Sequence, residues 1–186
     1  KAMGIEFKCG IEVGKDISLD DLRNEGYEAF YVAIGAQGSR KLNIPGEDNA
    51  MVESGIDFLR KVNKVEDPNL ISGDVVVVGG GNVAIDVARA ALRSGAEKVH
   101  LYSLEQEAEM PASFEEVQEA KEEGILLHCG WGPKEILEDS IVFKQCVSVK
   151  DKTGRFNPSY DESVLETIQC SHVLLSIGQS IIPIQG

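Results

Sequence analysis

The run DVVVVGGGNVAIDVARAALRSGA (74–96) constrains what this chain can fold into more than any other stretch. Four consecutive valines read as a strand covered on both faces, because a strand open to water on one face alternates apolar and polar residues. Three glycines break that strand, and the residues from about Asn82 to Ser94 continue at helical spacing. Along that helix Ala84, Ala88, Ala91 and Gly95 form a small-residue stripe that permits close packing. A second strand, Lys98 to Ser103, begins where a right-handed crossover would deliver it.

Gly79, Gly81 and Ala84 fit the pattern G-x-G-x-x-A. In a dinucleotide fold the first small residue permits the tight turn and the second lets a pyrophosphate approach the backbone. The third lets helix and strand pack closely. The pyrophosphate would rest on the free amides and positive end of the helix that starts near Asn82. A plainer reading stays open, in which the glycines serve packing alone.

An acidic group about 20 residues further on usually bonds the ribose hydroxyls. Here the second strand runs out in VHLYSLE (99–105), with Ser103 at its tip and Glu105 the nearest carboxylate. No arginine stands close by to pair a 2′-phosphate, which favours NADH and leaves NADPH open. Glu105 also reads as ordinary loop charge, because EQEAE (105–109) is an acidic turn.

Elsewhere, Ile5 to Cys9 and AFYVAIGA (29–36) read as strands, with a capped helix over 18–26 between them. The segment 37–49 is turn-rich, Pro45-Gly46 being its firmest break. A helix is expected over 54–64. Ser113 and Glu116 form an S-x-x-E capping box for a helix over about 114–123, closed by Gly124. A strand over 125–130 follows, then a hairpin of 141–151 and 164–170 joined by a polar loop, 152–163. A buried strand over 172–178 closes the set. Residues 27–35 and 170–178 echo each other as strands that run into glycine. The expected fold class is α/β: a Rossmann-like parallel sheet with crossover helices plus a β-meander.

The chain has 186 residues and a formal charge of −13, from 18 Lys and Arg against 31 Asp and Glu. That field repels nucleic acid and anionic membranes, so neither is expected as a partner. The longest apolar runs are strand-sized, too short for a transmembrane helix. Cys9, Cys129, Cys146 and Cys170 lack metal-type spacing with His100, His128 or His172. They read as reduced thiols of a cytoplasmic protein, with no metal site expected. The chain begins at Lys1, without an initiator methionine, and reads as a piece of a longer protein.

The combination of GGGNVAIDVARAALRSGA (79–96), EMPAS (109–113), EEVQEAKEEGI (115–125) and HVLLSIGQ (172–179) resembles the glutamate synthase small-subunit-like oxidoreductases. These belong to the flavoproteins with two dinucleotide-binding domains, the pyridine nucleotide-disulfide reductase superfamily. GYEAFYVAIGAQGSRKLNIPGED (26–48) is similar to that family's link from its FAD domain. The resemblance implies a parent in which an FAD domain is interrupted by an NAD(P)H domain. Hydride would pass from nicotinamide to flavin, and electrons onward to iron–sulfur centres or a larger oxidoreductase subunit.

On that basis residues 1–50 are expected to be an FAD-domain remnant and linker, 51–169 the NAD(P)H-binding domain, and 170–186 a return strand. FAD would belong to the full-length parent, and the fragment is not expected to turn over alone. The expected cofactor-binding residues are Gly79, Gly80, Gly81, Asn82, Val83, Ala84, Tyr102, Ser103 and Glu105, joined by Ile177 and Gly178. The resemblance also places a carboxylate near nicotinamide and flavin at Asp86, which reads equally as a dipole-favoured acid on a helix. Members that prefer NADPH carry arginines after the strand's tyrosine, whereas Tyr102 is followed here by Ser103-Leu104. Two other readings remain: a non-catalytic NAD(H)-sensing Rossmann module, and a disulfide reductase relative, against which the lack of C-x-x-C counts.

Overall fold

A computed structural model describes residues 2–65, 67 and 69–183 of the chain. They divide into two compact units, Ser39–Gln179 and the described part of Lys1–Gly38 with Ser180–Gly186. The first elements are α1 (Leu19–Asn24), β1 (Gly38–Ser39), β2 (Val52–Ser54), α2 (Gly55–Lys64) and β3 (Asp74–Val78). Then come α3 (Asn82–Arg93), β4 (Lys98–Ser103), α4 (Phe114–Glu122) and β5 (Leu126–Cys129). The last are β6 (Trp131–Ile136), β7 (Ser140–Lys150), β8 (Phe156–Gln169), β9 (His172–Leu175) and β10 (Gln179–Ser180).

In the larger unit, five strands form a parallel sheet in the order β2-β9-β3-β4-β5. The valine strand β3 lies at its centre, and its alternation explains the run of apolar residues. Val75 and Val77 face a cluster with Ala84, Ile85, Ala88, Val117 and Phe58, supplied by the helices. Val76 and Val78 face a second cluster with Tyr102, Ile136, Ile141 and Phe143. Complete burial of each valine contributes about 1.5–3 kcal/mol. The second cover is an antiparallel sheet, β6-β7-β8, rather than more helices. The Rossmann-like α/β expectation and its β-meander are therefore both present.

Crossover helix α3 lies against β3 because Ala84, Ala88 and Ala91 are fully buried, as the small-residue stripe requires. Arg89 bridges α3 to α4, pairing with Glu119 at 2.7 Å and Glu123 at 2.6 Å.

Several elements differ from expectation. Residues 5–9 and 29–36 carry no strand, and Tyr31 is 95% exposed. An apolar run becomes a strand only where a neighbour takes its hydrogen bonds, and these runs have no ladder among the described residues. The echo between 27–35 and 170–178 is thus one of sequence, since only the second segment forms a strand, β9.

Two further strands have no clear signal in the pattern. β2 has only three residues. β6 contains Pro133, which sits where the register shifts between Pro133 and Glu135. That is an edge-strand bulge, a place that tolerates a residue lacking an N–H. β8 begins at Phe156 and takes in most of the expected 152–163 loop. Residues 39–50 and 170–179, expected outside the nucleotide domain, lie in the larger unit, with β9 between β2 and β3.

In the smaller unit, Ser18 caps α1 with a reciprocal box, its side chain accepting from Asp21 N while Asp21 accepts from Ser18 N. Arg23 there stands 5.5 Å over the Phe30 ring.

Candidate nucleotide-binding site

Because the five strands are parallel, their C-terminal ends lie along one edge, where open α/β sheets hold their ligands. The glycine turn stands at the centre of that edge, and its three glycines have three different surroundings. Gly79 has φ +149°, and a Cβ on it would stand 2.4 Å from the Ser176 carbonyl oxygen and 3.1 Å from Ala84 Cβ. A Cβ on Gly80 would stand 2.6 Å from Ser103 Oγ and 2.8 Å from Glu105 Oε2. A Cβ on Gly81 would meet nothing within 4 Å.

Packing therefore accounts for the first two glycines and leaves the third unexplained. Gly81 is the N-cap of α3, in extended backbone with φ −94° and ψ 173°, and no side chain caps the helix. The first amides of a helix lack partners within it and carry its positive end. Clear ground in front of such amides fits the shape and charge of a pyrophosphate.

The EMPAS segment is tied to this turn. Ala112 N donates to the Gly80 carbonyl at 3.0 Å. Ser113 N donates to Asn82 Oδ1 at 2.9 Å. The capping box expected at Ser113 is consequently half made: Glu116 N donates to Ser113 Oγ at 3.3 Å. Asn82 has taken the amide that Glu116 would accept, and Glu116 Oε2 has no hydrogen-bond partner among the described residues. Sequence pattern explains this segment as a helix start, whereas its second connection, to the glycine turn, appears only in three dimensions.

At the tip of β4, Ser103 is fully buried and donates to Glu105 Oε2 at 2.8 Å. Glu105 N donates back to Ser103 Oγ at 3.1 Å. The two residues thereby bring a carboxylate against the glycine turn.

The remaining candidates divide. Val83 is partly buried against the helix-side core, and Ala84 is fully buried. Their side chains pack, so only their backbone faces the open ground. Ile177 and Gly178 follow β9 at the same C-terminal edge, Ile177 packing on the second core cluster. Ser54 and Ser176, at the ends of β2 and β9, hold buried hydroxyls with no partner among the described residues.

Tyr102 is 1% exposed, and its ring stacks on Phe143 at 3.8 Å and on His128 at 4.3 Å. Its hydroxyl donates to Glu166 Oε1 at 2.7 Å. Its side chain is thus taken up within the sheet interface, and only its backbone lies toward the strand tip. Even-numbered positions of β4 face the antiparallel sheet, the side opposite Ser103.

Asp86 is exposed on α3, one turn beyond Asn82, and lines a groove with Leu59, Asn63 and Arg89. That groove lies between α2 and α3, so the structure groups Asp86 with those helices rather than with the tip of β4.

All four cysteines are free thiols. Burial pushes Cys170 up to about 12, and it raises Cys129 and Cys146 as well, leaving these thiols protonated at neutral pH. Among the described residues no group of His, Cys, Asp and Glu is arranged to hold a metal ion. Nor is any helix among them long and apolar enough to cross a membrane.

A glycine turn on a parallel sheet, opening a helix onto clear ground, defines a dinucleotide-binding class of α/β protein. Residues 2–183 match the family described as Pyridine nucleotide-disulphide oxidoreductase, and the chain belongs to that family. It is 37% identical over 188 residues to the NADP(+)-dependent formate dehydrogenase subunit beta of Moorella thermoacetica, covering 97% of this chain and 26% of that protein. It is 31% identical over 191 residues to the glutamate synthase [NADPH] small chain of Azospirillum brasilense, covering 94% of this chain and 39% of that one. The chain thus spans well under half the length of these curated relatives. Among solved structures, Mycobacterium tuberculosis FprA in complex with NADPH shares the fold, with TM-score 0.78 and 21% identity over 95% of this chain and 55% of that one. The glutamate synthase-like resemblance read from the sequence therefore stands.

Proposed function

We propose that residues 39–179 form the NAD(P)H-binding domain of a flavin-dependent oxidoreductase whose FAD is held by a longer parent chain. The observation that carries this reading is the open ground beside Gly81, in a turn whose other two glycines are required by packing. The nicotinamide, when bound, supplies a hydride for flavin. The chain's own residues bind and orient: the first amides of α3 hold the pyrophosphate, and the 109–113 segment buttresses the turn. Ile177 and Gly178 border the same edge, where the nicotinamide end would lie. Such transfer needs no titrating side chain from the protein, so Asp86 has no required part in it.

Electrons would pass from flavin to iron–sulfur centres or a partner subunit. The relatives named as a subunit beta and a small chain support an assembly of this kind. Free thiols on all four cysteines suit a reducing compartment, the cytoplasm. The test is anaerobic addition of NADH or NADPH to the full-length protein while the flavin absorbance band is followed. Bleaching by one of the two supports the reading, and a flavin that stays oxidised with both overturns it.

A further inference from the structure

At the tip of β4, beside the glycine turn, stands a carboxylate held in place. Glu105 is fixed there by three contacts. Its Oε2 accepts from Ser103 Oγ at 2.8 Å, and its amide donates to that oxygen at 3.1 Å. Its carbonyl accepts from Gly130 N at 3.0 Å. Ser103 itself is fully buried, so the anchor has little freedom. The carboxylate oxygen lies 2.8 Å from the Cβ position that Gly80 leaves empty, so any side chain on Gly80 would displace it.

A carboxylate at the tip of the second strand of a dinucleotide fold is placed to accept hydrogen bonds from ribose hydroxyls. A 2′-phosphate in the same place would bring up to about two further negative charges against it. The strand tip itself supplies no cation to offset them. The segment 103–110 contains no Lys or Arg, and no ion pair involves Glu105 among the described residues. Lys121, from α4, is paired with Glu107. Arg89 and Arg93 are paired with Glu119 and Glu123.

We propose that Glu105, anchored by Ser103, makes this site selective for NADH over NADPH, an inference that rests on the dinucleotide reading of the glycine turn. Relatives with NADPH in their names do not carry the choice across, because it is made by a few side chains at the strand tip.

The test is calorimetric titration of the full-length protein with NADH and with NADPH, kept anaerobic and reduced so that binding is read without hydride transfer. The wild-type protein should bind NADH at least ~10-fold more tightly, the size of effect expected for like charges a few ångströms apart at a protein surface. Glu105→Gln keeps the volume, and Ser103 can still bond its amide oxygen. It should weaken NADH binding, strengthen NADPH binding and so narrow the ratio. Equal or tighter binding of NADPH by the wild-type protein overturns the inference, as does a ratio unchanged in a folded Glu105→Gln variant. Failure of both nucleotides to bind is a different result, which overturns the site itself.

Discussion

The carbonyl oxygen of Ser176 stands 2.4 Å from the position a Cβ on Gly79 would occupy. Ser176 N also donates to the Val78 carbonyl at 2.8 Å, and Gly79 N to the Tyr102 carbonyl at 2.9 Å. The end of β9 and the start of α3 therefore close on the space of that Cβ, while β4 holds the Gly79 amide. Gly79→Ala should destabilise the protein by about 2–4 kcal/mol, combining the overpacking with a φ of +149° that side-chain-bearing residues avoid. Urea unfolding gives the number. A loss below about 1 kcal/mol would mean that the turn yields more readily than its hydrogen bonds suggest.

Gly81 should behave in the opposite way. With nothing within 4 Å of its Cβ position and an extended backbone, Gly81→Ala should cost less than about 1 kcal/mol, the loss expected at an N-cap. Nucleotide binding should nevertheless weaken, because the methyl group enters the pyrophosphate ground. Gly81→Glu adds bulk and a like charge there and should abolish binding. Calorimetry beside a melting curve separates the two effects, and a Gly81→Glu variant that binds like the wild type would remove the phosphate from this place.

The central unit of the fold was legible because local and global signals agree there. DVVVV is apolar on both faces since both faces are covered, and Ala84, Ala88 and Ala91 are small since the helix lies on the strand. Where the signal is tertiary, it was not. The bulge at Pro133 in β6 leaves no mark in the pattern, and residues 29–36 look like β9 until their lack of a ladder is seen. Spacing singled out Glu105 as a candidate, but its hold by Ser103 depends on a buried hydroxyl that no pattern reports. The packing of Tyr102 is hidden for a related reason, because a strand's adjacent residues face opposite sides of the sheet and the pattern does not say what covers each side.

Tyr102 should matter for stability and not for nucleotide binding. Tyr102→Phe keeps the stack with Phe143 and His128 and removes the 2.7 Å hydrogen bond to Glu166. The Glu166 side chain is 33% exposed, so water can replace the lost donor and the cost should be about 1–2 kcal/mol. Tyr102→Ala also empties the sandwich and should cost about 3–5 kcal/mol. Denaturant midpoints give both values. If Tyr102→Phe lost nucleotide affinity while remaining folded, the ring would have to reach the site after all.

Acid should loosen the same cluster. His100 Nδ1 lies 3.0 Å from His128 Nε2, so protonating both rings would set like charges face to face. Burial pushes both histidines below their usual 6.5, reinforced at His100 by His128 and resisted at His128 by Glu166. Asp74 raises His100 and Lys98 lowers it, without reversing the direction. The folded protein then binds fewer protons than the unfolded chain, so the stabilisation is complete above pH 6.5 and declines as pH falls toward the lowered folded values. His172 is shifted the same way by burial and adds to the slope. Asp21, Glu123, Asp151 and Asp161, held low by hydrogen bonds, add their own loss only at more acid pH. Melting temperature against pH should therefore fall below 6.5, and His100→Gln with His128→Phe should flatten the upper part of that fall. An unchanged profile in the double variant would mean that charges outside this cluster set the acid limit.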